Sequence, residues 1–246
     1  MIMGANFTIN NFSVVVPIFN EEDIVLDSAR KIYEICKKTN IEFEIIFSEN
    51  GSNDKTLELI NHFCSTKKEC KVLSNEIANY GMALKNGFEK AKYEMVISFD
   101  IDYFSQQFLI ESISLNKKYS AITASKRLNN SKDGRKLIRR LATNFFVILL
   151  KILFQTSMSD THGMKAIRKK SLEKQISKVV STQDLFDTEL LIRIEKNQEE
   201  IYEVPAMVNE MRPSVSLIYS RIPRTIKSLL KLRIQIFKES LNTKNL

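Results

Sequence analysis

The sequence predicts an α/β fold: a mostly parallel sheet with helices on both faces, continued by a basic helical extension at the C-terminal end. Three observations lead there. Over residues 1–125, strand-like and helix-like segments alternate, a pattern that builds parallel sheets. The apolar runs that mark the strands end in polar, turn-forming segments. Beyond residue 125 the pattern becomes mainly helical and strongly basic.

The elements follow in order. Phe12–Pro17 reads as an apolar strand, and Glu22–Lys38 has helical spacing with acids in its first turn. Phe43–Phe47 is the next strand; Gly51-Ser52-Asn53-Asp54 then forms a turn and helix cap leading into Thr56–Cys64. A short strand at Lys71–Leu73 precedes a helix over Ala83–Lys92. The strand Met95–Phe99, the helix Gln106–Leu115 and the strand Ser120–Ala124 complete the alternation. The second half offers one late strand, Ile201–Val204, and no repeats or clear linker. The expected division is an α/β unit over 1–216 and a basic amphipathic helix over 217–246, facing a membrane.

A chain of 246 residues buries a sizeable core, and 43% hydrophobic with 27% charged residues excludes disordered and fibrous classes. Cys36, Cys64 and Cys70 have no metal-ligand spacing and read as free thiols of a reducing compartment. Met1–Asn11 lacks the basic and apolar regions of a signal peptide, so the expected location is cytoplasmic, on the inner face of a cell or ER-type membrane.

The net charge of +8 is placed in blocks: −4 over 1–125, +10 over 126–170, −5 over 171–211 and +7 over 212–246. Blocks of this kind meet polyanions. The ten-residue apolar run Phe145–Phe154, broken by Lys151, is shorter than the ~20 residues a bilayer span needs. It fits a core helix, or an interfacial helix beside Arg135, Lys136, Arg139 and Arg140. Ile226, Leu229, Leu230, Ile234 and Phe237 repeat the style among Arg224, Lys227, Lys231, Arg233 and Lys238. Two such segments favour a membrane surface over self-packing alone. Nucleic acid is not expected, since no recognition motif or stacking platform accompanies the charge.

The most informative residues are Asp100-Ile101-Asp102, at the end of the run Met95–Phe99. Ligands of open α/β sheets bind outside the carboxyl ends of the strands. Two carboxylates there need a positive partner, and a divalent cation holding a diphosphate supplies one. A solvated turn is the bland alternative for this motif by itself. Two further polar segments fall after predicted strands, Val16-Pro17-Ile18-Phe19-Asn20-Glu21-Glu22 and Glu49 through Thr56, and the fold brings all of them to one edge. Between them and the carboxylate pair lies the Gly-containing turn Asn79-Tyr80-Gly81-Met82, which opens a helix.

In these motifs the sequence resembles the inverting family-2 glycosyltransferases of the GT-A (Rossmann-like) fold, in particular the polyprenyl-phosphate sugar transferases of the dolichyl-phosphate mannose or glucose synthase type. The resemblance runs from about Phe12 to Ser216. Val16-Pro17-Ile18-Phe19-Asn20-Glu21 matches the family's Val-Pro-x-x-Asn-Glu, and Asp100 and Asp102 its Asp-x-Asp. Ala124-Ser125-Lys126-Arg127, Arg140 with Asn144, and Ser159-Asp160-Thr161-His162-Gly163-Met164-Lys165 resemble its later motifs. So do Phe186-Asp187-Thr188-Glu189-Leu190, Glu203-Val204-Pro205 and Arg212-Pro213-Ser214-Val215-Ser216. There are departures: Glu49-Asn50 stands where the family has paired aspartates, the lysine of its Gly-Lys-Gly turn is missing at Tyr80-Gly81-Met82, and Asp160 to Gly163 is one residue shorter. Many relatives also carry transmembrane helices after the catalytic domain, and none is legible here.

The resemblance implies a metal-dependent transfer of a hexose from a UDP- or GDP-linked sugar to a polyprenyl phosphate. Mg²⁺ or Mn²⁺ would sit on Asp100 and Asp102, with Asp102 catalytic. Pro17, Phe19, Asn20, Glu21, Glu49, Asp100 and Ile101 would bind the nucleotide, while Asp54 caps a helix. A lipid phosphate is already an anion and mainly needs positioning; Arg127, Arg139, Arg140 and Arg212 suit this, since guanidinium binds phosphate bidentately. Lys126, Asp160, Lys165, Asp187 and Glu189 would complete the acceptor side, with His162 a contact or a base and His62 a helix-surface residue. A hydroxyl acceptor in a cell-surface glycan is the alternative, and it needs Asp187 or Glu189 as base. A weakly active homologue serving as a membrane-bound binding subunit is a third reading. A separate membrane protein is a possible partner.

Overall fold

The computed structural model describes residues 9–134, 137–183, 185–208 and 218–244. Its first half follows the expected alternation: β1 (Asn11–Ile18), α1 (Val25–Lys37), β2 (Glu42–Glu49), α2 (Thr56–Ser65) and β3 (Cys70–Ser74). Then come α3 (Tyr80–Lys90), β4 (Met95–Ser98), α4 (Gln106–Leu115) and β5 (Ala121–Ser125). The second half holds β6 (Lys132–Asp133), α5 (Leu137–Phe154), β7 (Lys165–Arg168), α6 (Lys169–Ile176) and α7 (Phe186–Lys196). It ends with β8 (Ile201–Pro205), β9 (Met207–Val208) and α8 (Ile218–Lys244).

Seven strands form one sheet in the order β3-β2-β1-β4-β7-β5-β8. All neighbours pair in parallel except β7, which runs antiparallel between β4 and β5. The sheet is therefore mostly parallel, as the alternation predicts.

Strand alternation splits the core into two layers. In β1, Val14 and Val16 face a cluster with Ile45, Phe47, Ile97, Ile32 and Ile60, while Val15 faces one with Ile46, Val96, Leu84, Phe88 and Leu190. Strands buried on both sides read as continuous apolar runs, which is why β1 and β2 were visible in sequence. Gly87 is required where α3 crosses β1, because a Cβ there would overlap the Val15 side chain.

Two differences from the sequence expectation have physical causes. The second half contains β7 and a short β6·β9 ribbon besides the late strand. β7 is four residues long with charged ends, so it carries no legible period; pairing on both edges makes it a strand. Helix α3 also starts at Tyr80, before the expected Ala83, because Asn79 caps it: the Asn79 Oδ1 accepts from the Met82 N–H at 3.2 Å.

Helices α5 and α8 pack on each other and on the sheet through Leu150 and Phe154 on one, and Leu229, Leu232 and Ile236 on the other. The self-packing reading thus holds for one face of each. Their other faces leave Leu137, Leu141, Phe145, Ile148 and Ile152, and Leu230, Ile234, Phe237 and Leu241, about half exposed. Among the described residues no helix is long and apolar enough to cross a membrane.

Candidate active site

The carboxyl edge of β1, β2 and β4 carries the first polar cluster. After β1 the chain turns at Asn20, whose φ of +51° lies in the left-handed region that asparagine tolerates. That turn is laced to the loop after β2. The Asn20 N–H donates to Ser52 Oγ (3.0 Å), the Asn53 N–H to Asn20 Oδ1 (2.8 Å) and the Glu21 N–H to Thr56 Oγ1 (2.7 Å). Asp54 accepts from the Thr56 N–H at 2.9 Å and from the Glu22 N–H at 3.2 Å. It thus binds the first amide of α2, one residue before the N-cap Lys55, and ties the two loops. Phe19 is left 40% exposed, an aromatic face at the strand end, while Pro17 is buried in β1.

Glu49 is buried, and its carboxylate is engaged by the Ser52 N–H (2.5 Å) and the Ser74 hydroxyl (3.1 Å). It organises the loop floor. Asn50 Oδ1 accepts from the Asn79 N–H at 2.6 Å, so the amide found in place of a family aspartate joins β2 to the cap of α3.

Asp100 and Asp102 follow β4. A tight reciprocal pair, Asp100 N to Tyr103 O (3.1 Å) and Tyr103 N to Asp100 O (3.0 Å), bends the chain there. Asp102 is exposed and Asp100 partly so, whereas the Ile101 side chain is in the core and offers only backbone to a ligand. Burial pushes the Asp100 carboxyl above its ordinary range and Lys165 opposes this; Asp187 and Asp102 push it up further, and the Tyr80 hydroxyl pulls it down. Crowded carboxylates of this kind suit a hard divalent cation. Among the described residues no group of three or more His, Cys, Asp or Glu side chains is arranged to hold a metal ion.

Behind the pair, Lys165 and Asp187 form a buried ion pair at 3.0 Å. Lys165 also donates to Gly163 O at 2.7 Å. The second Asp187 oxygen, Oδ1, is buried without a hydrogen-bond partner.

The next polar group lies across the Gly163 turn, whose φ of +100° demands glycine. A Cβ there would sit 3.4 Å from the Tyr103 ring, so this turn abuts the bend at Asp100–Tyr103. Lys126 Nζ pairs with buried Asp160 at 3.2 Å and donates to His162 O at 3.2 Å. Asp160 is held in turn: Glu203 accepts from the Ser159 and Asp160 N–H groups at 2.9 and 3.0 Å. His162 is exposed and makes an edge contact with Phe146 of α5, 5.2 Å between centroids. Arg127 donates to Asn144 Oδ1 of α5. Arg127, Lys126, Asn129, Arg140, Thr143 and Asn144 line a cavity of about 320 Å³.

One expected residue falls elsewhere. Glu189 is fully buried, accepting from the Val180 and Ser181 N–H groups (3.2 and 2.8 Å) and from Arg193 (2.7 Å). Arg193 carries on to Glu239 of α8 at 2.7 Å, so Glu189 links a loop to a helix and is not free for chemistry. Its spacing of four from Arg193 was the available signal. The Arg139 side chain and all of Arg212 lie outside the described residues. Tyr80, not expected as a site residue, donates its hydroxyl to Asp100 Oδ1 at 3.1 Å.

With this geometry in hand, a family model described as glycosyl transferase family 2 matches residues 13–176. The chain belongs to that family. Among curated proteins, this glycosyl transferase family 2 chain is 29% identical over 160 residues to an undecaprenyl-phosphate 4-deoxy-4-formamido-L-arabinose transferase of Pectobacterium atrosepticum, covering 62% of the chain and 46% of that protein. It is 24% identical over 201 residues to glycosyltransferase AglD of Haloferax volcanii, covering 78% of the chain and 32% of that protein. The chain thus spans less than half the length of these relatives.

Among solved structures, glucosyl-3-phosphoglycerate synthase of Mycobacterium tuberculosis, in complex with Mn²⁺, UDP and product, superposes with TM-score 0.68 at 17% identity. That match covers 91% of this chain and 80% of the other. Mannosyltransferase PcManGT of Pyrobaculum calidifontis, in complex with GDP-Man and Mn²⁺, gives 0.59 at 18%, covering 87% and 60%. These likenesses establish the GT-A fold.

Proposed function

We propose that this chain transfers a hexose, with inversion, from a UDP- or GDP-linked sugar to a polyprenyl phosphate at the inner surface of a membrane, using Mg²⁺ or Mn²⁺. One observation carries the reading: a carboxylate pair at the sheet edge abuts, through Tyr103 and Gly163, the segment leading to an arginine-lined cavity. Donor and acceptor phosphates would then meet across that turn. The names of the curated relatives support the acceptor class, and the metal–nucleotide complexes of the solved neighbours support the donor class.

On the donor side, Phe19 offers an aromatic face to the base, and Pro17, Asn20, Glu21 and Glu49 shape the loops around it. Asp100, Asp102 and the Ile101 backbone face the diphosphate. A divalent ion held by Asp100 and Asp102 would neutralise charge developing on the leaving diphosphate. On the acceptor side, Arg127 and Arg140 would orient a phosphate that needs no deprotonation, with Arg139 and Arg212 joining them on sequence grounds. Lys126, Asp160, Lys165 and Asp187 hold the shape of that side.

The catalytic unit would be residues 1–216, with the helix over 217–246 facing the membrane. The exposed apolar stripes of α5 and α8, set among Arg140, Lys151, Lys227, Lys231 and Lys238, are the surface that would meet anionic lipid, or a membrane-protein partner. One observation favours a second reading: the buried Asp187 Oδ1 has no hydrogen-bond partner, and a hydroxyl acceptor would need a free carboxylate oxygen as base.

The test is a donor panel. Protein, Mn²⁺, labelled UDP- and GDP-sugars and a short polyprenyl phosphate are incubated, and label is counted in the organic phase. Transfer from one donor, abolished by Asp102→Ala, is expected. Sugar-nucleotide turnover without lipid product would move the reading to a hydroxyl acceptor.

A further inference from the structure

We propose that Tyr80 is a positioning residue for the divalent cation, its hydroxyl holding Asp100 in the orientation from which that carboxylate binds metal. The inference rests on the metal-dependent reading above. The Tyr80 hydroxyl donates to Asp100 Oδ1 at 3.1 Å, which leaves Oδ2 for a cation. The backbone of Asp100 is already fixed by its reciprocal pair with Tyr103, so the remaining freedom is side-chain torsion. That torsion is the one the hydroxyl removes.

The position of Tyr80 is itself built. It is the first residue of α3, whose cap Asn79 is held by Asn50 at 2.6 Å on one side and by the Met82 N–H at 3.2 Å on the other. The adjoining Gly81 lies under the Thr182 carbonyl so closely that a Cβ would come within 2.5 Å of it. Helix start, loop 181–183 and Asp100 are therefore locked together, and Tyr80 reaches the carboxylate from a fixed base. Asp102 and Asp187 repel Asp100 in the absence of a cation, so a donor that restrains it matters most at this residue. Groups that orient metal ligands by hydrogen bonds change metal affinity by about 10- to 100-fold when removed.

The experiment measures Mn²⁺ binding by the electron paramagnetic resonance signal of free Mn²⁺, with UDP or GDP present and no acceptor. Tyr80→Phe is expected to weaken Mn²⁺ binding about tenfold with an unchanged melting temperature, and Tyr80→Ala to do no more. Wild-type affinity in Tyr80→Phe, or a loss confined to Tyr80→Ala, would overturn the proposal. Asp102→Asn tests the underlying reading separately: if it too binds Mn²⁺ like wild type, the metal site itself is wrong. If it loses binding while Tyr80→Phe does not, only the role of Tyr80 is refuted.

Discussion

Lys165 Nζ lies 3.0 Å from Asp187 Oδ2, with both side chains at least 97% buried, so an ion pair between β7 and the first turn of α7 closes the floor of the site. Breaking such a pair from one side strands the other charge in the interior. Lys165→Met is expected to cost about 3–5 kcal/mol in urea or thermal unfolding. The double variant Lys165→Met/Asp187→Leu should recover most of that loss, because no unpaired charge remains. A single variant as stable as wild type would remove the pair from the structural account.

Arg193 joins Glu189 and Glu239, and through them the loop at Val180–Ser181 to α8. Arg193→Ala is expected to lower stability by about 3 kcal/mol and to loosen α8 first. Hydrogen exchange would show faster exchange over 218–244 than over β1–β4. Uniform acceleration would mean that the link is not specific to the helix.

Glu44 sets a pH dependence far from the site. Burial would push its carboxyl up, but hydrogen bonds from Lys71 (2.7 Å), the Lys92 N–H (2.8 Å) and Ser13 (2.7 Å) hold it below the usual range. A depressed folded-state pKa contributes stability above the unfolded value of about 4.3, and that contribution is lost as pH falls through the folded value. Glu44→Gln should therefore lower stability at neutral pH and flatten the decline below about pH 4, seen as converging melting curves. Parallel curves across that range would refute this role.

Arg127 is held by Asn144 and lines the same cavity as Arg140. Arg127→Lys keeps the charge but loses the planar fork. It should raise the KM for polyprenyl phosphate about tenfold while leaving the KM for the sugar nucleotide unchanged. An effect on the nucleotide alone would place Arg127 on the donor side.

Much of this arrangement was legible in the sequence, for identifiable reasons. Strands buried on both faces leave continuous apolar runs, and Asp100 and Asp102 stand out because they end one of them. What the sequence concealed depends on long-range contact. β7 is recognisable only through its two neighbours, and the Tyr80–Asp100 bond joins residues twenty apart that no local pattern relates. Glu189 entered as a site residue because it lies in a motif that resembles the family's Phe-Asp-x-Glu-Leu. Burial among the Val180, Ser181 and Arg193 donors gives it a different task.

The most direct test of the proposed reaction compares two acceptors that differ only in the phosphate: a short polyprenyl phosphate and the corresponding polyprenol, with the preferred sugar nucleotide and Mn²⁺. Transfer to the phosphate with inverted anomeric configuration, none to the alcohol, and loss of activity in Asp102→Ala is the predicted result. Equal transfer to the alcohol would contradict the account and favour a hydroxyl-directed transferase.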